Sequence, residues 1–336
     1  MGDRDKPGAA PDTVNPGKQP RDAKPRRRQP LTSSRSMAGL QSSRTPEYLV
    51  IGHICADLHD NGQVVLGGTA LYSALTAARL GWRTAVLTRG VYGQKVRGHE
   101  VPSLEPFADE LSIIVQQSDN TTMFVNTYAA GRRTQQLPNW AGPIDLRGLP
   151  PHWRNAKIVH LGPIAQEIDT KQTGGLTAEV LGATPQGWMR DWPKPGGGRV
   201  STTHLRLPPS LVGSLDGIVV SDEEIADCRD TVEAVGSRRL GAITMGENGS
   251  RVIYGGQYEH VHAYKVPVAD HTGAGDTYAA AFFIKATDRS LSAVKAAKFA
   301  SAVSALSLTG IGVDGIPNAD DVETFLKTAK ELPIRR

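Results

Sequence analysis

Asp270-His271-Thr272-Gly273-Ala274-Gly275-Asp276-Thr277 is the stretch on which the reading of this chain turns. An extended run, Val261 to Val268, leads into it, and an alanine-rich segment, Thr277 to Ala286, leaves it with no Gly or Pro to interrupt a helix. The spacing predicts a strand, a tight glycine turn and a helix N-terminus. Gly273 and Gly275 carry no Cβ, so the backbone can turn sharply and come close to a ligand. The free N–H groups of a first helical turn, together with the helix dipole, favour an anion such as a phosphate. A carboxylate there, Asp276, would repel that anion unless it acts on the group that attacks it. A base beside a phosphate cradle is what phosphoryl transfer to an alcohol requires. Taken alone, the stretch reads equally well as an ordinary helix N-cap.

Outward from this turn, the chain alternates strand and helix. Tyr48 to Ile54 reads as a buried first strand, with Asp57 just past its end. Gly67-Gly68 then opens a helix from about Leu71 to Leu80, and Arg83 to Thr88 is a second strand. A strand–helix–strand unit favours a parallel sheet, and ligands of such sheets bind at the carboxyl ends of the strands. Ser112–Val115, Thr121–Tyr128 and Thr134–Leu137 are short extended segments without helices between them. They suggest a small antiparallel sheet set apart from the main one, with Gly131-Arg132-Arg133 as a turn. Lys157–Leu161, Gly217–Val220 and Leu240–Thr244 return to buried strands. Thr177–Leu181 reads as a short helix, Ser290–Thr309 as a long one and Asp320–Glu331 as the last. There is no GxxxxGK[ST] phosphate loop, and Tyr278 stands where a GxGxxG motif would need its third glycine.

Composition excludes several classes. No apolar run reaches the roughly 18 residues of a membrane span. Cys55 and Cys228 match no CxxC or zinc spacing, so a reduced cytoplasmic protein is the expectation. Of 38 basic and 34 acidic residues, ten and four fall in residues 1–46, leaving 28 and 30 for the remainder. The net charge of +4 therefore belongs to the tail, and the body is no basic nucleic-acid binder. Residues 1–46, rich in Pro, Arg, Ser and Gly, are expected to be a disordered extension.

Asp57, Gly67-Gly68, Thr244-Met245-Gly246-Glu247-Asn248-Gly249 and, above all, Asp270-His271-Thr272-Gly273-Ala274-Gly275-Asp276 occur in one order. In that order the chain resembles the ribokinase-like (PfkB) carbohydrate kinases over roughly residues 47–332. The resemblance implies a three-layer α/β/α fold with a central, mostly parallel sheet and a small β-sheet lid contributed by about 112–137 and neighbouring segments. It implies ATP-dependent phosphorylation of a hydroxyl on a sugar or polyol, with Asp276 as general base and the N–H groups of Gly273, Ala274 and Gly275 as an anion hole. Thr244, Gly246, Gly249, Lys265, Thr272 and Ser301 would bind the nucleotide. Asp57, Gly67, Gly68, Tyr72, Arg132 and Arg190 would meet the acceptor. Mg²⁺ would arrive with ATP near Glu224, while Asp270 and Thr272 match positions that hold potassium in related kinases. A small-molecule acceptor is the expected partner, with a homodimer through the lid as a further possibility, no nucleic acid for the folded body and no membrane.

The chain departs from the family pattern in several places. The N-x-x-E element appears as Ser221-Asp222-Glu223-Glu224, and Ser221 also reads as a helix N-cap. Tyr72 replaces the Asn that ribokinases often place near the sugar, which argues against ribose. Gln186-Gly187-Trp188-Met189-Arg190 resembles the Q-G-x-x-R element of a subgroup that includes inositol kinases. An inositol-like acceptor is the first expectation, a nucleoside the second, and a non-catalytic ligand-binding protein on the same fold the third. His160 and Gln166 border the expected site, and a lone His at a strand end is more often structural.

Overall fold

The computed structural model describes residues 44–59, 61–129, 132–194 and 197–332, with the side chains of 128–133 outside the description. The basic tail lies almost wholly outside the described residues, and so does the Arg132 side chain.

Nine strands form one sheet. In spatial order they are Gln257–Val261, Ser250–Tyr254, Leu240–Thr244, Gly217–Ser221, Val180–Ala183, Ile158–Leu161, Tyr48–Ile51, Thr84–Gly90 and Leu111–Gln117. The first two are antiparallel additions, and the other seven run parallel. Successive side chains of a strand point to opposite faces, and the core divides accordingly. Tyr48, Val50, Val86 and Val219 pack with helices Thr69–Arg79, Ala274–Ala286 and Ala293–Ser307. Leu49, Ile51, Leu87, Ile218 and Val220 pack on the other face, under helix Ile225–Arg238. The result is three layers, α/β/α. At the centre, Phe283 lies on Gly182 and Gly217, where any added Cβ would fall 2.6–2.7 Å from its ring. His160 packs edge-on against Phe283, at 4.9 Å between ring centroids. It bonds Tyr48 Oη at 3.1 Å and Thr184 Oγ1 at 3.0 Å. Burial pushes its imidazole down to about 3, so it is a neutral core residue.

A second sheet of five strands stands apart, in the order Gly198–Arg199, Arg132–Asn139, Met123–Ala129, Cys55–Leu58 and Val64–Gly67. It corrects the expected lid in two ways. Ser112–Val115 belongs to the main sheet, paired parallel to Thr84–Gly90 as its edge. Cys55–Leu58 and Val64–Gly67 join the small sheet instead, flanking the Gly-Gly turn. The alternation that marks a half-buried strand is the same at the edge of either sheet, so local pattern did not separate them. Val180–Ala183 is likewise a central strand, not a helix, since both its faces are covered and its sequence is a short apolar run. The approach to the glycine turn also differs. The last strand ends at Val261, and 262–269 form no strand beyond an isolated bridge at Tyr264. Pro267, with no N–H to give a ladder, falls within that segment.

Candidate active site

The helix Ala274–Ala286 begins on Gly273, whose φ is +76°. A Cβ there would lie 2.1 Å from the Tyr72 ring, so only glycine lets the turn rest on that aromatic. Three bonds anchor the turn to its neighbours. Ser73 Oγ donates to the Asp276 carbonyl at 3.1 Å, and Ser304 Oγ donates to the Ala274 carbonyl at 2.9 Å. Thr69 Oγ1 donates to Asp276 Oδ1 at 2.7 Å. Burial raises the Asp276 carboxyl to about 6, the Thr69 hydrogen bond lowers it, the Glu224 charge raises it and the Arg190 charge lowers it.

The Gly-Gly pair works by space and by backbone angle. A Cβ on Gly67 would come within 2.5 Å of Asp57 Oδ2, and Gly68 has φ of +89° with His53 O and Cys55 Sγ about it. The pair therefore lets the Asp57 carboxylate fold over the turn that starts helix Thr69–Arg79.

Three cavities converge here. An inner pocket of about 280 Å³ is lined by Asp57, Gly68, Tyr72, Asn126, Arg190 and Asp276, among others. An outer cleft of about 620 Å³ runs past Gly273–Asp276, Glu224, Thr244, Gly246 and Arg199. A third cavity of about 470 Å³, mostly apolar in lining, takes Thr244, Gly246, Gly249, Lys265, Tyr278 and Ser301. Asp276 borders the first two, and His271 borders all three.

The residues expected at the nucleotide side thus share one cavity, except Thr272, which lines the inner pocket. Asp270 and Thr272 are together but bond each other. Thr272 N and Oγ1 donate to Asp270 Oδ1 at 2.9 and 2.7 Å, and Gly312 N donates to Oδ2 at 2.9 Å. Burial pushes the Asp270 carboxyl up, but the hydrogen bonds from Thr272 and Gly312 outweigh it and hold it below its ordinary value. A cation at Asp270 would compete with these donors. Ser221 is not the helix N-cap. The helix Ile225–Arg238 starts after Glu224, with no side-chain cap, and Ser221 N donates to Glu224 Oε2 at 2.9 Å. Among the described residues no group of three His, Cys, Asp or Glu side chains could hold a metal ion. A magnesium ion would fit only if phosphates and water supplied most of its ligands, with Glu224 on the cleft wall.

Sequence reasoning missed Thr69, Asn126, Gln135 and Arg199 in these linings. Thr69 was findable, because the residue after a Gly-Gly turn occupies the first turn of the helix. Arg199 was not, because its strand is two residues long and pairs with Arg132–Asn139 across more than sixty residues.

Residues 211–319 match the pfkB family of carbohydrate kinases. A Pyrococcus horikoshii protein named as a provisional sugar kinase is 33% identical over 118 residues, 35% of this chain. That alignment spans only 38% of the curated relative's length. A pyrophosphate-dependent kinase of the ribokinase family, solved with a pyrophosphate analogue and myo-inositol, is similar in fold. Its TM-score is 0.65 at 21% identity, covering 82% of this chain and 99% of that one. Arabidopsis thaliana ribokinase with ribose and ATP gives 0.60 at 20% identity, covering 84% and 99%. The described residues hold no helix long and apolar enough to cross a membrane.

Proposed function

We propose that this chain, whose residues 211–319 match the pfkB family of carbohydrate kinases, is a kinase of that family and transfers the γ-phosphoryl group of ATP to a hydroxyl of a sugar or polyol. The observation that carries the reading is the position of Asp276, whose side chain borders both the polar inner pocket and the outer cleft. An acceptor in the pocket and a phosphate chain in the cleft would meet at that carboxylate. Asp276 takes the proton from the acceptor hydroxyl. The oxygen bonds the γ-phosphorus as the bond from that phosphorus to the β–γ bridging oxygen breaks, and ADP leaves. The N–H groups of the Gly273–Asp276 turn, aligned with the helix dipole, face the charge that spreads over the transferring group. Magnesium, carried by the phosphates, would neutralise part of that charge.

The acceptor pocket is lined by Asp57, Asn126, Gln135, Gln186 and Arg190, a set of donors and acceptors suited to several hydroxyls on one ring. Together with Gln186-Gly187-Trp188-Met189-Arg190, this favours an inositol-like polyol over a nucleoside. On the donor side, the mostly apolar cavity behind Gly246 and Gly249 suits a purine base, which pyrophosphate lacks. Pyrophosphate is the second reading, because a fold relative is solved with its analogue. The test offers ATP or pyrophosphate, with Mg²⁺, against myo-inositol, ribose, fructose and adenosine. Turnover with ATP and myo-inositol is expected. Turnover with pyrophosphate alone would overturn the donor assignment.

A further inference from the structure

A hydrogen-bond chain of fixed direction ends on Asp276. It begins at Arg190 Nη2, 2.7 Å from Gln186 Oε1. A guanidinium can only donate, so this contact fixes which end of the Gln186 amide is oxygen. Gln186 Nε2, 2.8 Å from Thr69 Oγ1, must therefore donate to the hydroxyl. Thr69 then has its single proton to give, and Asp276 Oδ1 at 2.7 Å receives it. Every link points the same way, and each polarises the next.

Both ends of the chain are held. Arg190 Nη1 donates to the Ile164 carbonyl at 2.9 Å, and the guanidinium lies 5.2 Å from the centroid of the Phe124 ring. Gln166 Nε2 donates to the Arg190 carbonyl at 2.5 Å. Thr69 is fully buried, and its methyl sits where a Cβ on Gly162 would come within 2.6 Å. With Oδ1 engaged, Oδ2 of Asp276 has no hydrogen-bond partner among the described residues. A carboxylate free to rotate would present either oxygen; this one is held by Thr69.

We propose that Thr69, Gln186 and Arg190 form a one-way relay that positions Asp276, presenting one oxygen to the acceptor hydroxyl and favouring the ionised carboxylate. The proposal rests on the reading of Asp276 as the base, and it makes Arg190 a positioning residue in addition to any contact with substrate. Among the described residues, the charged and titratable groups that share these cavities or the turn with Asp276 are Arg190, Arg199 of the small sheet, Asp222, Glu223 and Glu224 before helix Ile225–Arg238, Cys55 and Asp57 of the lid, Tyr72 of helix Thr69–Arg79, and Asp270 and His271 of the turn itself. Among the described residues, only the relay donates a hydrogen bond directly to the carboxylate.

The test follows the Asp276 carboxyl by ¹³C NMR titration of the full chain, assigned with Asp276→Asn, in the wild type and in Thr69→Val, Thr69→Ser and Gln186→Met. A hydrogen bond to a charged group is worth enough that losing it should raise the midpoint by about one to two pH units. Thr69→Val is expected to shift by that amount, Gln186→Met by less, and Thr69→Ser to titrate as the wild type does. Any acid limb of kcat should move with the midpoint. Unchanged midpoints in both Thr69→Val and Gln186→Met would overturn the relay, as would a Thr69→Ser midpoint matching Thr69→Val. Should Thr69→Val fail to fold, Gln186→Met decides alone. The titration needs no turnover, so a wild type inactive with every donor and acceptor would count against the proposed function and leave the relay measurable.

Discussion

Asp276 stores a conflict that can be measured as stability. Burial raises its carboxyl to about 6, above the ordinary carboxylate value, so the folded state prefers the neutral acid. The fold therefore loses stability as pH rises from about 4 to about 6 and stays penalised above that. A shift of two units corresponds to at most about 3 kcal/mol, less for a half-exposed side chain. Asp276→Asn, which can still accept from Thr69, should raise Tm at pH 7–8, and the gain should vanish below about pH 4. A Tm equal to the wild type at every pH would show that the carboxylate is fully solvated in the folded chain. The position of Asp276 in the first turn of a helix was legible in the sequence, where a carboxylate after two glycines at a helix start is chemically odd. That Thr69 is its partner was not, because the place of Thr69 after the Gly-Gly turn is readable but no local signal links residues 207 positions apart.

Among the elements, the two loops that lead into the inner pocket are joined by one buried side chain. Glu167, fully buried, accepts from His53 N at 2.9 Å, from Ile164 N at 2.9 and 3.0 Å, and from Ala165 N at 2.6 Å. It thereby ties the end of the first strand to the loop after Ile158–Leu161. A Gln there has one oxygen and two protons that would face N–H donors. Glu167→Gln should cost about 2–4 kcal/mol, since buried donors are left unpaired, and should raise the acceptor KM more than the donor KM. Equilibrium urea unfolding checks the first part, and a change under 0.5 kcal/mol would contradict it. The sequence shows the strand–helix alternation clearly, because runs such as Tyr48–Ile51 and helices such as Ala293–Ser307 carry their own periodicity. It hides which short strand joins which sheet, because Leu111–Gln117 and Met123–Ala129 differ in partner and not in pattern.

For the whole molecule, the order of the glycine-bearing motifs made the fold readable before any coordinates. Only the assembled chain shows that one carboxylate stands where a polar pocket and a wide cleft meet, with an apolar cavity beyond the turn. Those cavities draw on residues from Cys55 to Leu332, so no window of sequence contains them. The central claim is that Asp276 is the base of a phosphoryl transfer from ATP to a polyol. Its most direct test is the rate of ADP release with ATP, Mg²⁺ and myo-inositol, compared between the wild type and Asp276→Asn with ATP affinity measured in both. A positioned general base contributes roughly 10²–10⁴-fold, so kcat should fall by about that factor while ATP binds the variant as tightly or more tightly. An Asp276→Asn chain that turns over at close to the wild-type kcat would contradict the account.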